Sequence, residues 1–66
     1  MTNRIKIERA ILNITQEELA KRIGVSRQTV NSIEKNRYVP STVLALKISR
    51  IFEKTVNEIF ELDDED

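Results

Sequence analysis

The only glycine in this chain falls between two runs that each read as helix. In AKRIGVSRQTV, residues 20–30, the helical spacing of apolar residues stops at Gly24 and a new helical start follows at Ser26. Leu or Glu would have let the first helix continue. Glycine instead accepts a positive φ without a Cβ clash and ends a helix abruptly. Ser26 is a strong N-cap residue, because its side-chain oxygen can take an orphan amide of the next helix. The feature therefore demands a sharp corner between two short helices, the second opening on a polar, basic turn.

Around that corner the chain reads as all-α, with five short helices. The first runs from about residue 3 to 13, with Ile5, Ile11 and Leu12 at helical spacing. The second opens at Thr15, where Thr15-Gln16-Glu17-Glu18 has the form of a capping box. Leu19, Ala20 and Ile23 make its inner face. The third opens at Ser26, turns Val30 and Ile33 inward, and ends near Lys35. Asn36 follows, a residue that tolerates the left-handed conformation past a helix end. The single proline, Pro40, forbids continuation, and Ser41 starts a fourth helix through Leu44, Leu46, Ile48, Ile51 and Phe52. Thr55-Val56-Asn57-Glu58 repeats the capping-box form and opens a short fifth helix ending near Leu62.

Composition narrows the chemistry. The 66 residues are enough for one small domain, and a domain of this size buries only about 60% of its unfolded-chain surface. Cysteine and histidine are both absent. That excludes disulfides, a thiolate or imidazole zinc site, and a Ser–His catalytic pair. No cofactor, metal or small-molecule site is expected, and no paired catalytic constellation is apparent, so the chain does not read as an enzyme. No apolar run approaches the ~20 residues of a membrane span. The start, MTNRIKIERA, is charged throughout, unlike a signal peptide, and the reading is a cytoplasmic domain.

Formal charge is zero, but the charges are segregated. Residues 1–52 hold ten Lys/Arg against four Asp/Glu, a net of +6, whereas residues 53–66 hold one Lys against seven acids, a net of −6. Fields act over a Debye length of about 8–10 Å, so the halves do not cancel in space. A basic body fits a polyanion partner. Residues 1–62 form the expected domain and 63–66 an acidic tail expected to fray, which tempers non-specific binding or merely aids solubility.

Two helices joined by a short glycine turn, with small Ala20 letting them approach and Val25, Val30 and Ile33 filling the wedge, make a helix-turn-helix. An ordinary αα-hairpin of a bundle remains the alternative on these features alone. The segment TQEELAKRIGVSRQTVNSIEKNRYVPS, however, resembles the signature of the lambda repressor-like, or Xre-type, transcriptional regulators. The elements T-Q-E-x-L-A, G-V-S and I-E-x-x-x-x-x-P stand at that family's spacing, and the likeness spans about residues 4–62. Asn36 departs from it, standing where many members have glycine.

The resemblance implies a compact five-helix fold and a sequence-specific regulator, a repressor bound to double-stranded DNA at a pseudo-palindromic operator. An antitoxin or a phage or restriction-control regulator would share this domain. A protein-interaction module that has lost DNA binding is the alternative from another class. Helix 26–35 would enter the major groove with its N-terminal residues at base edges. Arg27, Gln28, Thr29, Asn31 and Ser32 are the candidate base readers. Arg donates twice to guanine, Gln pairs both ways with adenine, and a Thr methyl meets that of thymine. By resemblance, Arg27, Gln28 and Ser32 match base-reading positions, while Gln16, Asn36, Arg37 and Tyr38 match phosphate-contacting ones. Ser26 and Lys35 join the phosphate candidates. Arg9 and Glu34 match a structural ion pair that braces the recognition helix. Family members usually bind as symmetric dimers, and Val56, Ile59, Phe60 and Leu62 are the candidate interface. Val56 and Ile59 are expected inward, with Phe60 and Leu62 available to the partner.

Overall fold

Each helix in the computed structural model, which describes residues 1–66, begins where a side chain satisfies a free amide. Thr15 Oγ1 accepts from Glu18 N at 3.0 Å and Glu18 Oε1 accepts from Thr15 N at 3.4 Å, opening α2 (Gln16–Ile23). The same reciprocal box between Thr55 and Glu58, at 2.9 and 3.2 Å, opens α5 (Val56–Ile59). Ser26 caps α3 (Arg27–Glu34) and Ser41 caps α4 (Thr42–Phe52) through single bonds to Thr29 N and Leu44 N. Such caps stabilise a helix by roughly 1 kcal/mol each, which matters for helices of two turns.

The helix ends are as local. Gly24 takes φ 76° at the end of α2, and its neighbour Val25 donates back to Ala20 O at 3.0 Å. A Cβ at Gly24 would meet no atom within 4 Å, so backbone conformation, not crowding, selects glycine here. Asn13, Asn36 and Glu53 take φ 56°, 60° and 54° at the ends of α1 (Ile5–Leu12), α3 and α4. Asn suits that conformation; Glu53 has no such excuse and carries strain.

These ends pack the five helices around one core of Ile5, Leu19, Ala20, Ile23, Val30, Ile33, Leu44, Ile48, Phe52, Ile59 and Phe60. Burying each large member stabilises the fold by about 1.5–3 kcal/mol. The inner faces of α2 and α3 are those the spacing indicates. The N-terminus is not. Helix α1 begins at Ile5, because Thr2–Asn3 form a short strand β1 antiparallel to β2, Phe60–Glu61, in the register Thr2↔Glu61 and Asn3↔Phe60. Arg4 N continues the ladder onto Ile59 O at 2.8 Å.

That pairing corrects one expectation. Phe60 lies in the core at 7% exposure, held there by the strand, and is not free for a partner; only Leu62 beyond it is exposed, at 74%. On α1, Ile11 and Leu12 are exposed, and Glu8 takes the inner face with Ile5 at 2% exposure. Glu8 is tolerated because Lys54 Nζ reaches it at 3.1 Å, with Arg4 Nε at 3.8 Å. The tail lies against the N-terminus. Asp66 N donates to Asp63 O at 3.1 Å, and the Met1 ammonium sits 3.0 Å from Asp63 and 2.6 Å from Asp66. The bond to Asp66 holds the ammonium above its ordinary pKa and draws Asp66 below its own.

Candidate nucleic-acid interface

Three polar side chains on the outer surface of α3 make no hydrogen bond within the protein: Arg27, Gln28 and Ser32. Val30 and Ile33 turn the opposite side into the core. At 100° per residue, Gln28 and Lys35 then point most directly outward, flanked by Asn31 on one side and Ser32 on the other. Arg27 stands on the Asn31 flank, beside the start of α2. Gln16, Arg27, Gln28 and Asn31 line an open polar recess of about 320 Å³ there. Ser26, Gln28, Thr29, Ser32 and Tyr38 line a second recess on the other flank.

A braced frame holds this surface. Arg9 reaches from α1 to the end of α3, where its Nε and Nη2 lie 2.6 and 3.2 Å from the two oxygens of Glu34, a bidentate pair. Its Nη1 also donates to Ile14 O at 3.0 Å, tying down the turn before α2. Both charges are largely buried, with side-chain exposures of 15% and 6%. Gln16, the first residue of α2, donates through Nε2 to Glu34 Oε1 at 3.2 Å and to Asn31 Oδ1 at 3.3 Å. Asn3 closes the far end, donating to Ile33 O at 2.8 Å and to Asn36 Oδ1 at 3.2 Å.

The start of α2 adds an electrostatic feature. Thr15 satisfies the amides of Glu18 and Leu19, leaving the Gln16 and Glu17 N–H groups unpaired. They open onto a recess of about 430 Å³ lined also by Arg9, Asn13 and Arg27. Free amides at a helix N-terminus, with a guanidinium alongside, favour an anion.

A pair of packed short helices with an unbonded polar outer face is the shape that comparison with known proteins then identifies. A family model described as helix-turn-helix matches residues 5–59. The chain belongs to the lambda repressor-like helix-turn-helix regulators. It is 48% identical over all 66 residues to an uncharacterized HTH-type transcriptional regulator of Methanocaldococcus jannaschii, covering 100% of both chains. It is 52% identical to one of Archaeoglobus fulgidus, covering 100% of this chain and 93% of that one. With the HTH-type regulator YgzD of Bacillus subtilis the identity is 46%, over 98% of each chain. The function is DNA binding in transcription regulation, and no helix is long and apolar enough to cross a membrane.

Within this helix-turn-helix regulator the candidate residues divide. Arg27, Gln28, Asn31 and Ser32 share the outward side of α3. Thr29 sits on the flank, half-buried, with its hydroxyl 2.9 Å from Ser26 Oγ, so both hydroxyls serve the helix start. Lys35, Arg37 and Tyr38 are exposed beyond the far end of α3 and make no side-chain hydrogen bond. The carboxamide of Asn36 is engaged by Asn3. Gln16 is more constrained than its position implies, since both protons of its amide are committed within the protein. Asn3 carries no local sign of its role, because a brace across 30 residues leaves no spacing to read. The free amides of Gln16 and Glu17 were legible, since they follow from the Thr15 capping box.

Proposed function

We propose that this chain is a repressor that binds as a homodimer to a pseudo-palindromic operator and acts by occupying a promoter, in the cytoplasm, at the nucleoid. The observation that carries the reading is the row of side chains on α3 that nothing in the protein uses. Arg27 and Gln28 have the donor and acceptor geometry for guanine and adenine, and Ser32 fits either kind of base. Asn31 lies beside them. Phosphate contacts flank this row and set register without selecting sequence. At one end they come from the backbone amides of Gln16 and Glu17, with Ser26 nearby. At the other they come from Lys35, Arg37 and Tyr38, with the backbone of Asn36 between them.

One such helix covers only a few base pairs, so two copies are needed for a specific site, with half-sites about one turn of DNA apart. Val39, Leu46 and Leu62 stand exposed around half-buried Val56 and supply an apolar surface for the second copy. Ile59 and Phe60 support it from below.

Selection of bound sites from random duplex DNA tests the reading, followed by titration of the selected site across salt. An inverted repeat should emerge, bound roughly 10³-fold or more above random sequence. Arg27→Ala should erase part of each half-site, and Leu46→Asp should yield a monomer in sedimentation with weakened operator binding. Weak binding, equal for all sequences and lost at moderate salt, would reduce the domain to a generic polyanion binder.

A further inference from the structure

The two flanks of α3 differ in chemistry. The recess beside Gln16, Arg27 and Asn31 has no apolar residue in its walls. The recess on the Ser32 flank, about 430 Å³, has three: Val25, Tyr38 and Leu44. Leu44 belongs to the core at 7% exposure, and half-buried Val25 packs against that core, so these two make a floor. Tyr38 stands on the rim at 47% exposure, in the loop between α3 and α4. Gln28 and Ser32, one helical turn apart, form the α3 side. Candidate base readers therefore bound the recess on one side, and the chain neighbour of Arg37, a candidate phosphate contact, bounds it on the other.

The major-groove edges of unmodified base pairs are polar except for one group, the C5-methyl of thymine, which adjoins the O4 acceptor. That methyl lies on the side of the base nearest the backbone of its own strand. A protein that reads base edges along α3 and holds phosphate at Arg37 meets it between the two, where the apolar floor lies. We propose that this recess seats the C5-methyl group of a thymine, with Tyr38 as a specificity-determining residue whose ring covers the methyl. Gln28 and Ser32 stand where a donor to O4 is needed. The inference deepens the reading above and rests on α3 lying in the major groove. It moves Tyr38 from phosphate contact to base selection.

Deoxyuridine tests this, because it pairs with adenine as thymine does and lacks only the methyl. The operator is first selected from random unmodified duplex, and each of its thymines is then replaced in turn by deoxyuridine. With the wild-type protein, one position of each half-site should lose about fourfold in affinity, the worth of burying one methyl, and about fifteenfold when both half-sites are changed. In Tyr38→Ala that penalty should vanish, and in Tyr38→Phe it should persist, since the ring and not the hydroxyl covers the methyl. No loss at any thymine would overturn the assignment of the recess. A uridine penalty that persists in Tyr38→Ala, with Tyr38→Phe weakening operator and random duplex alike, would return Tyr38 to phosphate contact and overturn its role here. Failure of the wild type to enrich any site is a distinct result, which removes the DNA reading of α3 and this inference with it.

Discussion

Arg9→Ala should destabilise the domain far more than an ordinary ion-pair deletion. The pair joins a side chain 15% exposed to one 6% exposed, so removal of Arg9 strands a nearly buried carboxylate. Breaking a buried pair from one side costs about 3–5 kcal/mol, most of it the desolvation of the charge left behind. Glu34 keeps one donor, the Gln16 amide, which places the loss near the lower end, about 3 kcal/mol. At roughly 0.05–0.15 kcal/mol per residue, a 66-residue chain has only about 3–10 kcal/mol in total. The expected fall in Tm is therefore about 12–24 °C. Removing both partners, as Arg9→Met with Glu34→Leu, leaves no orphan charge and should return to within about 1 kcal/mol of the parent. Urea unfolding of the parent, Arg9→Met, Glu34→Leu and the double variant measures the coupling. An Arg9→Ala cost under about 1 kcal/mol, or a double variant no better than the single, would refute the claim that the pair is effectively buried.

Three further outcomes follow from the caps and turns. Gly24→Ala should cost about 1–2 kcal/mol in urea unfolding through φ alone, with Gly24→Asn costing less; equal losses would mean that the site is crowded after all. Glu53→Gly should raise the urea midpoint, by about 1 kcal/mol in stability, because it relieves a left-handed φ at a residue whose side chain is exposed. Glu58 has its pKa held below the ordinary 4.5 by the Thr55 backbone amide and then the Thr55 hydroxyl. A depressed folded pKa gives stability that is present above the unfolded value and lost as pH falls through the folded one. The stability gap between the parent and Glu58→Gln should therefore be open at neutral pH and close on acidification below about pH 4.5, and a gap independent of pH would contradict the capping-box contact.

The fold was legible wherever its cause was local. The Thr15 and Thr55 boxes, the caps at Ser26 and Ser41 and the corner at Gly24 each rest on residues within four positions of one another, and a sequence displays such spacings directly. The β1–β2 pair was not legible. Two-residue strands show no alternation, and their partners lie at opposite ends of the chain. That single omission explains the misplacement of Phe60. Without the strand, an aromatic at the end of a short helix looks free for a partner; with it, the side chain is drawn under α4 and α5. The burial of Glu8 was illegible for a related reason. Its inward face is acceptable only because Lys54 arrives from a distant loop, and no pattern on α1 announces that.

The candidate interface divides along the same line, with a consequence for how such regulators can diverge. Residue types on the outer side of α3 name the candidates, but they leave open which atoms those candidates offer. The bonds from Arg9 through Glu34 and Gln16 fix how the Asn31 amide is turned, its oxygen toward the Gln16 nitrogen, and they draw on α1, α2 and α3 together. No spacing in the sequence displays that arrangement, because the bonded partners lie 15 to 25 residues apart. Exchanging Gln16 for an apolar side chain would release the Asn31 amide while every outward residue of α3 stayed the same, so a change at the start of α2 can alter the surface that α3 presents.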